Sequence, residues 1–361
     1  MSSNSGTAHK MDPKLDIEAL AESHRLSTAI DRYYSQISRL NLTYLAVSLD
    51  LIVLHQLPDV ALFVAHIGQG DRLPGEYKLF RGKGMYVSQA ELDALSQSGT
   101  TDLFIQRPDV PMFTQYVEEL LDKMDSVSPM ADEHKVGLLR KSAMNVMSDI
   151  IATPSAENIQ RGVKAVSGFV YVLMRDPKAY QLLLSLSSHD HYTLQHSVGV
   201  ATTAIILAKK VGVHDEAGLI EAGVGGLLHD IGKTRIAKEI INKKGPLDEA
   251  EWAEMKKHSL WGYEILKDNP QVGMRAKLAV LQHHEDSNGT GYPMGLRHEQ
   301  VSIFAKIVAI SDIFNAITTD RSYSKAKPPF EAFKLIKDKL MAKVDPKLYE
   351  ALVHIYGGKS D

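Results

Sequence analysis

Between residue 44 and about residue 106, short apolar runs alternate with Pro and Gly turns. Tyr44–Leu49, Ala61–Ala65 and Tyr77–Phe80 read as strands. A helix over Gln89–Gln97, a strand over Asp102–Ile105 and a helix through Tyr116–Met124 complete a small α+β domain. From about Glu133 the apolar spacing lengthens to the helical period and persists to Leu186, with breaks near Pro154 and Pro177. Beyond that, nearly every segment to Tyr356 is helical in pattern, and no internal repeat is present. The first 40 residues predict a disordered start and a short helix carrying Ile17, Leu20 and Ala21 on one face. The expected architecture is an all-α C-terminal domain over 183–361, preceded by a small α+β N-terminal domain over 41–130 and a helical linker over 131–182.

Composition narrows the classes of function. A length of 361 residues exceeds the usual single domain, and 44% hydrophobic with 24% charged residues is the make-up of an ordinary globular protein. The net charge of -3 argues against long nucleic acid as a ligand, since proteins that track phosphate backbones carry a basic surplus. A small phosphate ester needs only a few local cations. Cysteine is absent, so disulfides, thiolate nucleophiles and Cys-ligated metals are excluded, and any metal site must use His and carboxylate. The segment Met1–Asp16 is polar and lacks the apolar stretch of a secretory signal. Tyr44–Ile67 is apolar but interrupted by Asp50, His55, Pro58 and Asp59, so it does not predict a membrane span. A cytoplasmic protein is expected.

The C-terminal half carries an unusual set of polar residues on apolar helix faces. On the predicted helix Tyr192–Lys210, His196 shares a face with Val200, Ala204 and Leu207 and should point inward. Gly218–Leu228 is rich in small residues, which lets helices approach closely, and it ends in His229-Asp230-Ile231-Gly232-Lys233. An unpaired aspartate following such an apolar helix would cost several kcal/mol, a cost that metal coordination removes. Asp248 to Glu251 has the form of a capping box, opening a helix that should run through Met255 to His258. His283-His284-Glu285 follows, and Asp312 falls on an inward face with Ala305, Val308 and Ala316. A satisfied core histidine is the ordinary reading of each one alone. Five histidines and two aspartates together, without cysteine, are the donor set of a dinuclear site for iron, manganese or similar metals. One aspartate can bridge two ions, and a water held between them would be deprotonated near neutral pH to give a nucleophile.

The order His196, His229-Asp230, His258, His283-His284, Asp312 resembles the HD superfamily of metal-dependent phosphohydrolases. The segment His283-His284-Glu285-Asp286-Ser287-Asn288-Gly289-Thr290-Gly291-Tyr292-Pro293 is similar to the signature of its HD-GYP branch, and the likeness runs from about Leu183 to Leu352. The resemblance implies that His196, His229, Asp230 and Asp312 hold one metal, and that His258, His283 and His284 hold a second, with Asp230 bridging. It further implies that Lys233 and Arg321 contact substrate phosphate, that Asp190 lies near the attacking water or leaving group, and that Tyr292 borders the substrate. The implied activity is hydrolysis of cyclic di-GMP, mainly to the linear dinucleotide, with a protein partner at the Gly-Tyr-Pro loop. The chain departs from the branch at Asn288, Asn315, Ser322, Ser324 and Lys306, which leaves a catalytically weak cyclic-dinucleotide receptor as the alternative. Some members carry a Glu four residues before the first metal His; here Tyr192 stands there, so two metals are expected rather than three. The N-terminal module loosely resembles a small domain that precedes HD-GYP domains in some bacterial proteins. It lacks the acidic cluster of a phosphoacceptor domain.

Overall fold

The computed structural model describes residues 25–36, 43–54, 56–66, 76–127, 132–175, 192–319 and 325–357. The chain divides into two compact units, Met1–Lys141 and Ser142–Asp361. The expected short helix around Ile17 to Ala21 and the break at Pro177 lie outside the described residues.

The first unit contains a helix over residues 25–36 (α1), then β1 (Tyr44–Ser48), β2 (Leu62–His66), β3 (Glu76–Arg81), α2 (Gln89–Gln97), β4 (Asp102–Gln106) and α3 (Val110–Val127). The strands form one antiparallel sheet in the order β1-β4-β2-β3. Strict alternation sets its faces. Leu45 and Val47 of β1 and Leu103 and Ile105 of β4 are buried, while their neighbours in sequence are half-buried on the other side. That other side carries aromatic pairs, with Tyr44 stacked on Tyr77 at 4.0 Å and edge-on to Phe63 at 5.1 Å. Helix α3 begins at Val110, earlier than the predicted Tyr116, and contributes Phe113, Tyr116, Val117 and Leu120 to the buried core. The Arg107-Pro108-Asp109 turn, with its proline in the first turn of helical geometry, leads straight into it. Ser88 and Glu91 close a capping box at the start of α2.

The second unit is helical. Helix α4 (Asp132–Ala152) straddles the division between the units, and α5 (Ala156–Arg175) follows the break at Pro154. Then come α6 (Tyr192–Lys210), α7 (Glu216–Leu228), a 3-10 turn at Ile231–Arg235 and the short α8 (Lys238–Ile241). The remainder comprises α9 (Glu249–Met255), α10 (His258–Leu266), α11 (Met274–Gln282), α12 (Ile303–Thr318), α13 (Pro329–Leu335) and α14 (Pro346–Tyr356).

Helix α7 is the centre of this unit. From Ala222 to Leu228 it is apolar and buried on all sides, with Ala222, Val224, Leu227 and Leu228 in the core, as a helix surrounded by others requires. It packs against α5, α6, α11 and α12. Small residues permit the close approach: a Cβ on Gly226 would lie 2.8 Å from the Ala201 Cα on α6. Asp215 caps α7 by accepting from the Gly218 N–H at 2.8 Å.

One predicted helix is two. The Asp248/Glu251 capping box is present, but α9 ends at Met255, and His258 opens α10. The Lys257 N–H bonds three residues back to the Glu254 carbonyl, tightening and ending the first helix before the second begins. No helix among the described residues is long and apolar enough to cross a membrane.

Candidate metal centre

Five different helix ends or faces bring the histidines and aspartates of the predicted set to one place. His196 lies on α6, and His229 and Asp230 occupy the turn that ends α7. His258 is the first residue of α10, His283 is the C-cap of α11 with His284 next, and Asp312 lies on α12. His196, His229, His258 and His283 are buried. His196 Nε2 is 3.0 Å from Asp312 Oδ1, which lies 3.9 Å from His229 Nε2. Asp230 joins the halves: its Oδ2 is 3.4 Å from His229 Nε2 and its Oδ1 is 3.5 Å from His258 Nε2. His258 and His283 face each other, Nε2 to Nε2, at 3.3 Å. Two groups have all their ligand atoms within 4.8 Å: His196, His229 and Asp230, and His258, His283 and His284.

The outward nitrogens show which atoms are reserved for the centre. The Nδ1 of His229, His258 and His283 donates to the carbonyls of Gly226, Met255 and Val280, each three residues back, at 2.7 to 2.8 Å. That local bond fixes the tautomer and turns each Nε2 lone pair inward. His196 reaches across to α12 instead, where Asn315 Oδ1 accepts from its Nδ1 at 2.9 Å and from the Thr319 hydroxyl at 3.2 Å. Inside the cluster, His229 Nε2 and Asp230 Oδ1 are buried without a hydrogen-bond partner. Unmatched buried acceptors are rare because each forfeits its hydration. Nitrogen and carboxylate donors without thiolate, with unmet lone pairs converging, fit divalent transition metals.

The protonation states follow from the same crowding. Burial, then the neighbouring His284, His229 and His258, pushes the His283 pKa far down. Burial and His258 bring His284 down to about 3, and burial lowers His258. These three are therefore neutral and ready to ligate. Burial opposes charge on His229, but Asp230 and Asp312 outweigh it and raise its pKa. Burial likewise opposes ionisation of the aspartates, yet Lys233 and His229 hold Asp230 well below the carboxylate range, and His196 and His229 do the same for Asp312.

The turn carrying His229-Asp230 is pressed onto α10, where a Cβ on Gly232 would come within 1.8 Å of the His258 carbonyl oxygen. Only glycine permits that approach. Lys233 Nζ pairs with Asp230 Oδ2 at 2.6 Å. Tyr292 stacks on His284, ring centroids 4.7 Å apart, at the end of a loop held by Glu285. The buried Glu285 accepts from the N–H groups of Met294 and Leu296 at 2.7 and 2.8 Å, and the Tyr292–Pro293 peptide is cis. Asn288 closes the loop's turn by accepting from the N–H and hydroxyl of Thr290. Asp190, Arg321, Ser322 and Ser324 lie outside the described residues.

Sequence reasoning missed two supports. Glu285 is visible beside His283-His284, but its clamp on the backbone at Met294 and Leu296 is a property of the folded loop. Asn315 was noted only as a departure, although it lies three residues past Asp312 and so at the next turn of the same helix.

The profile of the HD domain family matches residues 178–348. This part of the chain is an HD domain. A cyclic di-GMP phosphodiesterase of Pseudomonas aeruginosa is 38% identical over 185 residues, covering 51% of this chain and 44% of that protein. A cyclic di-GMP phosphodiesterase of Thermotoga maritima is 34% identical over 178 residues, 48% of each chain. A 3′3′-cGAMP-specific phosphodiesterase of Vibrio cholerae is 35% identical over 161 residues, 45% of this chain and 35% of that protein. The chain thus spans less than half the length of these curated relatives. The solved structure of an HDG"Y"P protein from Bdellovibrio bacteriovorus matches with a TM-score of 0.60 at 20% identity, covering 87% of this chain and all of that one, which is a likeness of fold. HD domain phosphohydrolases are metal-dependent, and the two His/Asp clusters are candidate metal-binding groups of this kind.

Proposed function

We propose that the HD domain hydrolyses cyclic di-GMP, chiefly to the linear dinucleotide, at a dinuclear centre of iron or manganese. The observation that carries this reading is the buried cluster in which His229 Nε2 and Asp230 Oδ1 lack a hydrogen-bond partner while the outward nitrogens of four histidines are satisfied. His196, His229, Asp230 and Asp312 would hold one ion, and His258, His283 and His284 the second, with Asp230 shared. Bound there, the two metals would activate a water and offset charge on the phosphodiester.

The chain's own groups do the rest. Water adds to phosphorus as the bond to the ribose 3′ oxygen breaks, and Lys233 and Arg321 neutralise the charge that builds on the phosphate oxygens. Asp190 would exchange a proton with the attacking water or the leaving oxygen. Tyr292 borders the substrate from its place against His284. Rebinding the flexible linear product needs a cation for its new terminal phosphate, and Ser324 supplies none, so the second cleavage is slow. A protein partner at the Gly-Tyr-Pro loop and a cytoplasmic setting are part of the same reading. The receptor alternative rested on Asn288, Asn315 and Ser324; the first two make hydrogen bonds that support the loop and His196, which favours the enzyme.

Incubating the purified, metal-replete chain with cyclic di-GMP and with 3′3′-cGAMP, with chromatography of the products and metal analysis, tests this. The expected result is linear dinucleotide accumulating from cyclic di-GMP, with two metals per chain. Three metals per chain, mononucleotide formed without a linear intermediate, or no turnover would overturn it.

A further inference from the structure

Two tryptophans occur in the chain, Trp252 and Trp261. Trp252 on α9 is 47% exposed, an unusual place for the residue with most apolar surface to hide. Its position is not random. The indole stands edge-on to Tyr292, centroids 6.3 Å apart and planes at 82°, and Tyr292 lies in turn against His284 of the candidate metal centre. Tyr292 also meets the His258 ring at 6.2 Å. Three rings therefore run outward from the metal-ligand cluster to the surface, and the last of them keeps much of its area open.

The local structure fixes the backbone that carries this ring. Trp252 sits at the fourth position of α9, whose start is held by the Asp248/Glu251 capping box, and its carbonyl accepts from the Lys256 N–H at 3.0 Å. A platform anchored this way loses little freedom when a flat ligand settles on it. Scattered exposed apolar residues are normal on a protein surface, but this one is joined ring to ring to the site.

We infer that Trp252 is a stacking platform for a purine base of the substrate, one nucleoside away from the phosphodiester that lies at the metals. This rests on the proposed function and assigns to it a residue that selects for a nucleobase as well as a phosphodiester. Stacking is tolerant of base identity because every base has a π face, so Trp252 would raise affinity for guanine and adenine dinucleotides alike. Choice between bases would then fall to other contacts.

The test uses the full chain, metal-replete, with the phosphorothioate analogue of cyclic di-GMP as a slowly cleaved probe. In a Trp261→Phe background, Trp252 is the sole tryptophan; Trp261 is half-buried, with Lys257 Nζ 5.9 Å from its ring. Adding the analogue should quench the emission of Trp252 saturably. Trp252→Ala should weaken binding of the analogue by about tenfold to a hundredfold, the scale of one lost aromatic–base stack, with metal content unchanged. Trp252→Phe, which keeps a smaller ring, should recover most of that loss and controls for folding. If the parent binds the analogue but its emission does not change and Trp252→Ala binds equally well, the inference fails and the functional reading stands. If the parent binds no cyclic dinucleotide, the functional reading fails, and the inference falls with it.

Discussion

Arg81 and Tyr116 in the first unit and the histidines of the HD domain treat burial of a polar group in opposite ways. In the first, the buried Arg81 guanidinium is surrounded by the carbonyls of Pro58, Val60 and Met85, and the Tyr116 hydroxyl both donates to the Leu51 carbonyl and accepts from the Val53 N–H. Burial raises the Tyr116 pKa to about 12, which keeps that hydroxyl a neutral donor. Those groups are matched by the protein itself and finish a fold. In the HD domain the outer nitrogen of each of four buried histidines is matched in the same manner, while the inner atoms converge on one another. Four buried histidines and two aspartates with charge confined to so small a volume are costly for an apo protein. The difference teaches that where several groups matched on one side only converge, as in the histidine and aspartate cluster, the inner atoms are held ready for something that is added.

The sharpest way to break this contrast is to remove the residue shared by the two halves of the centre. Asp230→Ala should abolish binding of both metals and reduce hydrolysis to background; full metal content by elemental analysis would show that the cluster is not the site.

Acid should act next most strongly, and on the HD domain first. The lowered values of His258, His283 and His284 mean that their contribution to stability is whole above the unfolded value of 6.5 and is lost as pH falls, for His284 down to about 3. The lowered carboxyls of Asp230 and Asp312 act in the same direction, contributing above 3.8 and losing effect as pH falls further. His229, whose pKa is raised, contributes below 6.5 and loses that contribution as pH rises through its folded value. Metal-free protein should therefore lose stability steadily from pH 6.5 downward in circular dichroism melts, and added metal should oppose the loss. A flat profile over that range would refute the neutral, buried assignment.

Substrate contacts should separate from metal contacts. Lys233→Ala and Arg321→Ala should keep both ions and lose about tenfold to a hundredfold in kcat/KM, the scale of one charged hydrogen bond. Removing the Lys233 cation from Asp230 takes away a charge that competes with a metal, so metal retention is the expected result. Asn315→Ala should do the reverse: by freeing the His196 ring it should weaken metal binding by about tenfold. Asn315→Asp, which keeps an acceptor, should not, and calorimetric titration with Mn2+ distinguishes the two.

The smallest effect on function belongs to the first unit. Arg81→Ala leaves the Pro58 and Val60 carbonyls without their donor and should cost about 1–3 kcal/mol of stability in denaturant unfolding. Metal content should be unaltered. If metals were lost as well, the separation between a finished unit and a prepared one would not hold.

Much of this protein was legible one residue at a time. The period of apolar positions determined the helix Tyr192–Lys210 and the strand at Tyr44, because burial of one face imposes a spacing that does not depend on what lies opposite. The identity and order of His196, His229-Asp230, His258, His283-His284 and Asp312 likewise carry the chemistry of the donor set, since ligand type belongs to the side chain. The folded structure decided what depends on partners far away in sequence. It split the helix at Lys256–Lys257 so that His258 opens a new one, and it sent Asn315 across 119 residues to His196. It also closed Glu285 onto Met294 and Leu296 and set Trp252 against Tyr292. Hydrogen-bond direction and ring contact are fixed by distances of a few ångströms in three dimensions, and local propensity carries no information about those.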